Sequence, residues 1–249
     1  MNERRKITLQ RHRIRVNDRT IAYETAGCGS PLILLHGLLG STRWWRHNVV
    51  ALAAHFRLYL IDLIGFGASR GKHQFVLHHA ADQIAAWMRQ VGIPRAALVG
   101  HSMGGLIAAD LAASHPALVE RLVLVNAAAI PLGHAYLRHI CGLFGLIPSL
   151  RPNFLPVLAT DAWRAGPVTG FHATRQILAS DITRQLADIQ APAMLIWGAR
   201  DTLLPLRMGS ALAKQLPGVH IVILPDAGHN PMWECPTAFN RAVLAFLSR

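Results

Sequence analysis

The chain has 249 residues and a formal net charge of +12, and 52% of its residues are hydrophobic whereas 15% are charged. This balance excludes a disordered chain and predicts a globular protein with a sizeable core. The apolar runs are too short for an integral membrane span, and the first residues lack the apolar segment of a signal peptide. Three scattered cysteines predict free thiols, so we expect a cytoplasmic protein.

Strands and helices alternate along most of the chain. Residues 11–16 and 20–25 predict an antiparallel hairpin around the turn Asn17-Asp18. The other predicted strands are 31–35, 56–61, 96–99, 122–125, 193–197 and 219–224, and the predicted helices are 44–54, 77–91, 106–114, 206–216 and 236–247. This alternation predicts an α/β fold with a mostly parallel, twisted sheet and helices on both faces.

The alternation breaks between residues 130 and 188. Five prolines interrupt this stretch: Pro131, Pro148, Pro152, Pro156 and Pro167. We predict a core made of residues 1–129 and 189–249, and an inserted, mainly helical cap at 130–188 over the carboxyl ends of the strands, where such sheets bind ligands. Residues 140–158 are strongly apolar, which indicates packing onto the core, a wall of an apolar pocket, or both. Phe144 and Phe154 are therefore candidates for the substrate pocket.

A serine stands between close glycines at residues 100–105, in the order Gly-His-Ser-Met-Gly-Gly. The segment lies between a predicted strand and a predicted helix, which is typical of a nucleophile elbow. So sharp a turn strains the serine backbone toward positive φ, where larger neighbouring side chains would collide. The strain turns the hydroxyl outward beside the N–H groups of the helix start. The pattern predicts that Ser102 is a nucleophile.

A serine hydroxyl needs a histidine to take its proton and a carboxylate to hold that histidine. Asp201 follows the strand 193–197, and His229 follows the strand 219–224. Loops after parallel strands emerge at the same edge of the sheet, so Ser102, Asp201 and His229 are predicted to form a catalytic triad. Asp226 is nearer to His229 in sequence but lies in a turn less suited to hold it.

Attack on a carbonyl also needs an oxyanion hole, in which each N–H donor contributes roughly 3–4 kcal/mol. One predicted donor is the N–H of Met103, directly after the nucleophile. The other is the N–H of Leu38 in the loop after the strand 31–35, where Gly37 lets the backbone come close to the substrate.

Several motifs together resemble the α/β-hydrolase superfamily over nearly the whole chain. They are His36-Gly37 with Trp45, residues 62–69, residues 100–105, residues 197–201, and residues 228–231 with Glu234 and Pro236. The order serine, aspartate, histidine is also that of the superfamily. In some relatives the acid follows the preceding strand, but Asn126 stands there and cannot ionise, so the resemblance favours Asp201.

The same resemblance sorts the chemistry. Haloalkane dehalogenases and epoxide hydrolases carry an aspartate nucleophile, which Ser102 disfavours. His101 before the serine is similar to many esterases and monoacylglycerol lipases, and it favours ester chemistry. We expect His36 and His101 to hydrogen-bond locally around the site and keep both as pocket candidates, and Trp44 is a candidate for facing the acyl pocket.

These patterns predict a carboxylesterase-like or lipase-like serine hydrolase that cleaves a small ester with an apolar acyl or aromatic part. No metal or cofactor is implied. A carbon–carbon bond hydrolase, an acyltransferase or a perhydrolase with the same triad remain alternatives, as does a binding protein of this fold. The basic residues are spread along the chain, which indicates a solvated face and no nucleic-acid partner. A role at a membrane surface stays open, and the oligomeric state is not predicted.

Overall fold

The computed structural model describes residues 7–71, 74–131, 151–216 and 218–248. Eight strands form one sheet: β1 (Gln10–Val16), β2 (Arg19–Ala26), β3 (Pro31–Leu35), β4 (Arg57–Ile61), β5 (Ala96–His101), β6 (Val119–Val125), β7 (Ala193–Gly198) and β8 (His220–Leu224). Their order across the sheet is β1-β2-β4-β3-β5-β6-β7-β8. The hairpin β1–β2 and the pair β2–β4 are antiparallel, and all other neighbours are parallel.

Helices cover both faces of this sheet. They are α1 (Val49–Ala53), α2 (Ala80–Val91), α3 (Met103–Ser114), α4 (Leu155–Ala165), α5 (Pro167–Ala179), α6 (Leu206–Ala213), α7 (Pro231–Glu234) and α8 (Pro236–Leu247). Successive residues of a strand point to opposite faces. Accordingly, Ile33 and Leu35 pack in a core cluster with α2 and α3, whereas Leu34 packs in a second cluster with α1 and α8. The α/β prediction is therefore confirmed.

One predicted helix is wrong. Residues 44–54 form a short 3-10 turn (Thr42–Trp45) followed by the five-residue helix α1. Asn48 interrupts the predicted helix because its buried amide donates to the carbonyl of Met232 and to the side chain of Asn240, 3.0 and 2.8 Å away. Apolar spacing alone could not reveal these distant partners.

The helix after the elbow is longer than predicted, since α3 starts at Met103 rather than at residue 106. Gly104 and Gly105, which the sequence predicts to be loop residues, lie in its first turn. Gly104 is needed there because any side chain would collide with the carbonyl oxygens of Leu35 and His36 at the end of β3. The absence of a Cβ lets the helix start press against the end of the neighbouring strand.

In the described part of the chain between β6 and β7, where a cap is predicted, lie the helices α4 and α5. Asp161 of α4 bonds to Ser41 in the loop after β3, and Gly170 of α5 lies against Leu39 of the same loop. Both helices thus contact the loop after β3. Phe144 and most of the apolar stretch 140–158 lie outside the described residues.

Within the described ranges, none of the helices combines the length and the apolar character needed to cross a membrane.

Candidate active site

The turn between β5 and α3 holds Ser102 in a strained conformation. Its φ is 53° and its ψ is −115°, outside the regions that residues with a side chain normally adopt. The Ser102 N–H donates to the carbonyl of Val125 on β6, 2.9 Å away, and the Ser102 carbonyl accepts the N–H groups of Gly105 and Leu106. These bonds fix the turn, so the surrounding sheet and helix sustain the strain.

One hydrogen-bonded chain connects three side chains that the sequence places far apart. His229 Nε2 lies 3.1 Å from Ser102 Oγ, and His229 Nδ1 lies 2.8 Å from Asp201 Oδ2. The Asp201 side chain is fully buried, and that of His229 is 10% exposed. The three residues follow β5, β7 and β8, at the carboxyl edge of the sheet. This arrangement can move a proton from a serine hydroxyl to an imidazole beside a carboxylate.

Asp201 accepts hydrogen bonds on both of its oxygens. Oδ1 accepts the N–H groups of Leu203 and Leu204, each at 2.8 Å. Oδ2 accepts from His229 and also from the side-chain amide of Asn126. With every partner a donor, the site is built for an ionised carboxylate.

Asn126 links the two loops that carry Asp201 and His229. Its amide nitrogen donates to Asp201 and to the carbonyl of Gly228, and its Oδ1 accepts the N–H of Gly198 at 3.1 Å. Sequence reasoning excluded Asn126 as an acid but missed this bridging role. The available signal was its position at the end of β6, between the strands that precede the other site loops.

The loop that bears His229 is held by a carboxylate as well. Glu234 of α7 accepts the N–H of Gly228 at 2.5 Å and the N–H of Asn230 at 2.9 Å. Because both neighbours of His229 are tied to one side chain, the imidazole is fixed between Asp201 and Ser102.

The loop after β3 packs directly on the elbow. At Gly37 an added Cβ would be 2.8 Å from His101 Nδ1 and 3.2 Å from the Cβ of Ser102, so a larger residue would collide with the elbow. Leu38 is the next residue after Gly37, where the loop comes close to the elbow. Met103 begins α3, so its N–H has no acceptor in a preceding turn of that helix. The two predicted oxyanion donors thus belong to segments that meet beside the serine.

His36 and His101 are both fully buried beneath these loops. His36 Nδ1 donates to the carbonyl of Gly37 at 2.7 Å, while its Nε2 accepts the N–H of Leu63 at 3.0 Å. His101 Nε2 donates to the carbonyl of His229, 2.7 Å away. Both rings therefore hold backbone segments of the site, and this geometry favours a positioning role over the pocket contact that the sequence also suggested.

Burial lowers the pKa of His101 well below its ordinary value of 6.5, and the nearby His229 lowers it further. The unfolded chain therefore takes up a proton at this residue below about pH 6.5, whereas the folded chain does not. Stability contributed by the neutral ring is present above that pH and is lost as the pH falls. His101→Gln removes this titration but keeps a donor for the His229 carbonyl.

We predict that the unfolding free energy of the wild type falls more steeply below pH 6.5 than that of His101→Gln, with a difference in slope of up to about 1.4 kcal/mol per pH unit. Denaturant unfolding at a series of pH values measures it. His36, whose pKa is also lowered by burial, is present in both proteins. Parallel pH profiles would contradict a neutral, buried His101.

Trp44 and Phe154, two of the pocket candidates, lie next to each other. Their ring centroids are 5.1 Å apart in an edge-to-face arrangement, and the Trp44 ring is 5.7 Å from that of His101. Phe154 also packs on Trp233 at 4.8 Å. An aromatic wall thus extends from the ring of His101, which lies beside His229, to Phe154 at the start of α4.

Asp161, a buried acid of α4, is a further neighbour of the site that sequence reasoning missed. Its side chain is fully buried and accepts from Arg43 at 2.6 Å, from the Ser41 hydroxyl at 2.7 Å and from the Trp44 indole at 3.2 Å. All three donors lie in the loop after β3. Asp161 therefore fixes α4 on this loop and orients Trp44. The available sequence signal for this role was that Asp161 is the one acidic residue of α4, which is otherwise largely apolar.

We predict that Asp161→Ala lowers the free energy of unfolding by about 2 kcal/mol or more, because it leaves buried donors unpaired. Arg43 is 39% exposed on its side chain, so water compensates part of the loss. Chemical denaturation measures the change, and Asp188→Ala, at an exposed acid of the same segment, is the control. Equal destabilisation by both substitutions would contradict the role of Asp161.

Among the side chains that the structure describes, no three or more histidines, cysteines, aspartates or glutamates are grouped closely enough to bind a metal ion.

Comparison with known proteins places the chain among hydrolases of one fold. Residues 30–171 match the α/β hydrolase fold family. The chain is 30% identical over 257 residues to a pimeloyl-[acyl-carrier protein] methyl ester esterase of Pectobacterium atrosepticum, with 90% of this chain and 97% of that protein covered. A crystal structure of a bacterial membrane phospholipase A is similar, with a TM-score of 0.86, 26% identity, and coverage of 96% of this chain and 86% of that one. The enol-lactonase of Burkholderia xenovorans superimposes with a TM-score of 0.82 at 25% identity, over 96% of this chain and all of that one.

Proposed function

This chain belongs to the α/β-hydrolase fold family, and we propose that it hydrolyses carboxylic esters through an acyl-enzyme on Ser102. The observation that carries the proposal is the position of His229, which contacts Ser102 Oγ through one ring nitrogen and Asp201 through the other. A serine beside a base that a carboxylate orients is an activated nucleophile. The Pectobacterium relative acts on a methyl ester, which supports an ester as the bond that is cleaved.

In the first half of the reaction, Ser102 Oγ attacks the ester carbonyl while His229 Nε2 takes the hydroxyl proton. Buried Asp201 stabilises the imidazolium that forms and keeps the proton on Nδ1. The carbonyl oxygen becomes negatively charged and is held by the N–H groups of Leu38 and Met103. When the tetrahedral intermediate collapses, His229 gives its proton to the leaving alkoxide, which departs as the alcohol.

In the second half, water replaces the alcohol. His229 takes a proton from this water as it attacks the acyl carbon, and a second tetrahedral intermediate forms in the same oxyanion hole. Collapse breaks the bond to Ser102 Oγ, and His229 returns the proton to the serine. The products are one carboxylic acid and one alcohol, and the enzyme is regenerated without a cofactor.

The acyl part of the substrate is proposed to be apolar or aromatic. Trp44 and Phe154 form an aromatic wall next to the His101 ring, which supports His229, and both are almost completely buried. A wall of this kind binds apolar groups and excludes water from the acyl-enzyme. We propose that the segment between β6 and β7 is the predicted cap, residues 130–188, and that it selects the acyl chain.

Labelling with a fluorophosphonate probe, followed by peptide mass spectrometry, tests the assignment of the nucleophile. We expect the probe to modify Ser102 in the wild type and in Ser210→Ala, which changes an exposed serine of α6. Labelling that persists in Ser102→Ala would contradict the proposal.

A panel of p-nitrophenyl esters from acetyl to long acyl chains then tests the class of substrate. Preference for medium or long chains is expected from the aromatic wall. Turnover of a vinylogous diketone without hydrolysis of any ester would favour carbon–carbon bond cleavage by the same residues.

A further inference from the structure

The outer surfaces of α4 and α5 expose large apolar side chains to solvent. Trp163 is 87% exposed, Phe171 is 62% exposed and Val168 is 61% exposed. The two helices are joined directly at Gly166, so these three residues come from one short stretch of chain. Single exposed apolar residues are common, but several within nine consecutive residues of two adjoining helices indicate an interaction site.

The exposed apolar residues of α5 do not belong to the face that packs on the protein core. Gly170, Ala173 and Ile177 are its buried residues, and they fall on one side of the helix. Val168 and Phe171 are three positions apart and fall on the opposite side. A helix that only packs on a protein core needs one apolar face and a polar outer face. A second apolar face has to be explained by something that it contacts.

Basic residues accompany the exposed aromatics. Arg164 and Arg175 are exposed, and the Arg175 guanidinium lies 5.9 Å from the centre of the Phe171 ring. The sequence from residue 162 to residue 180 contains no aspartate or glutamate, and the whole chain carries a net charge of +12. This surface therefore combines aromatic side chains with positive charge. Within residues 162–180 no carboxylate neutralises that charge.

We propose that this surface, formed by Trp163, Arg164, Val168, Phe171 and Arg175 and here termed the basic aromatic face, docks on an anionic lipid bilayer. Tryptophan and arginine together suit the interface between headgroups and acyl chains, where indole rings are enriched and cations attract anionic lipids. A bilayer also accepts such side chains without a matched shape. A second copy of the chain would bring two strongly positive molecules together, which electrostatic repulsion opposes.

The opposite sides of the same helices contact the candidate site. Asp161 of α4 bonds to the Trp44 indole, and Gly170 of α5 lies against Leu39, next to the proposed oxyanion donor Leu38. Docking through the basic aromatic face would hold the site close to the membrane surface. Delivery of a membrane-borne apolar ester rests on the proposed function, whereas the docking itself does not.

Vesicle cosedimentation of the full chain tests the proposal, with phosphatidylcholine vesicles that contain or lack phosphatidylglycerol. We expect binding to the anionic vesicles, weaker binding at high salt, and a loss of roughly tenfold or more in affinity for the double variant Trp163→Ala, Phe171→Ala. The matched control is Val50→Ala, Ile223→Ala, which removes exposed apolar groups from other surfaces and should bind like the wild type. Arg164→Gln, Arg175→Gln should lose the preference for anionic lipid.

Hydrolysis of a short, water-soluble ester serves as the check that each variant is folded, because none of the substituted residues contacts Ser102 or His229. Loss of vesicle binding with unchanged hydrolysis supports docking, even if the proposed substrate class is wrong. A wild type that does not bind anionic vesicles overturns the proposal. So does equal binding by the Trp163→Ala, Phe171→Ala variant, or a change in oligomeric state or in binding to an acidic protein as the only effect of that variant.

Discussion

Ser102→Ala is expected to lower kcat/KM for ester hydrolysis by roughly 10⁴-fold or more. The substitution removes the hydroxyl oxygen that lies 3.1 Å from His229 Nε2. What remains is binding and the oxyanion hole, which give a small residual rate. Alanine meets the same backbone strain as serine at φ 53°, so thermal unfolding should change little.

Initial rates with p-nitrophenyl esters measure this effect, and Ser210→Ala is the matched serine control on an exposed helix position. The control should retain the wild-type rate. Comparable rates for Ser102→Ala and the wild type would mean that another group attacks the ester, or that water is activated directly.

Asp201→Asn is expected to lower kcat by roughly 10³- to 10⁴-fold. All the hydrogen-bond partners of this carboxylate are donors, namely the N–H groups of Leu203 and Leu204, the Asn126 amide and His229 Nδ1. An amide must therefore direct its NH₂ group against another donor in either orientation. If that group faces His229, Nδ1 must accept and the ring proton moves to Nε2, where it prevents the imidazole from taking the serine proton.

The matched control for this prediction is Asp226→Asn. Asp226 lies in the same loop as His229 but is exposed, and its partner is Arg200 at 2.7 Å. Activity within about twofold of the wild type is expected, since exposed ion pairs contribute little. A larger loss in Asp226→Asn than in Asp201→Asn, measured as kcat on one ester, would reverse the assignment of the acid.

Strand order explains why so much of the candidate site could be predicted from sequence. Ser102, Asp201 and His229 each follow a short apolar run that predicts a strand, and the carboxyl ends of parallel strands meet at one edge of the sheet. The structure places Ser102 and Asp201 each within hydrogen-bond distance of His229, at one edge of the sheet. Short motifs were sufficient to predict the triad because the parallel strands bring the loops after β5, β7 and β8 together.

Contacts between residues that are far apart in the sequence could not be predicted in this way. Asp161 and Ser41 are 120 positions apart, and nothing near either residue indicates the other. Asn48, which ends the predicted helix 44–54, is fixed by partners almost 200 positions away. The sequence shows that Asn126 cannot serve as the triad acid, but it does not show that the amide bridges Asp201 and Gly198. Pocket-wall predictions likewise depend on packing that apolar composition does not encode.

The most direct test of the central claim is the mass of the enzyme during turnover. The wild type is mixed with an excess of a p-nitrophenyl ester, quenched in acid within the first turnovers, digested and analysed by mass spectrometry. We predict a burst of p-nitrophenol and one acyl group on the peptide that contains Ser102, both absent from Ser102→Ala. Steady ester hydrolysis with no acyl group on Ser102, or with the acyl group on another residue, would contradict the acyl-enzyme mechanism.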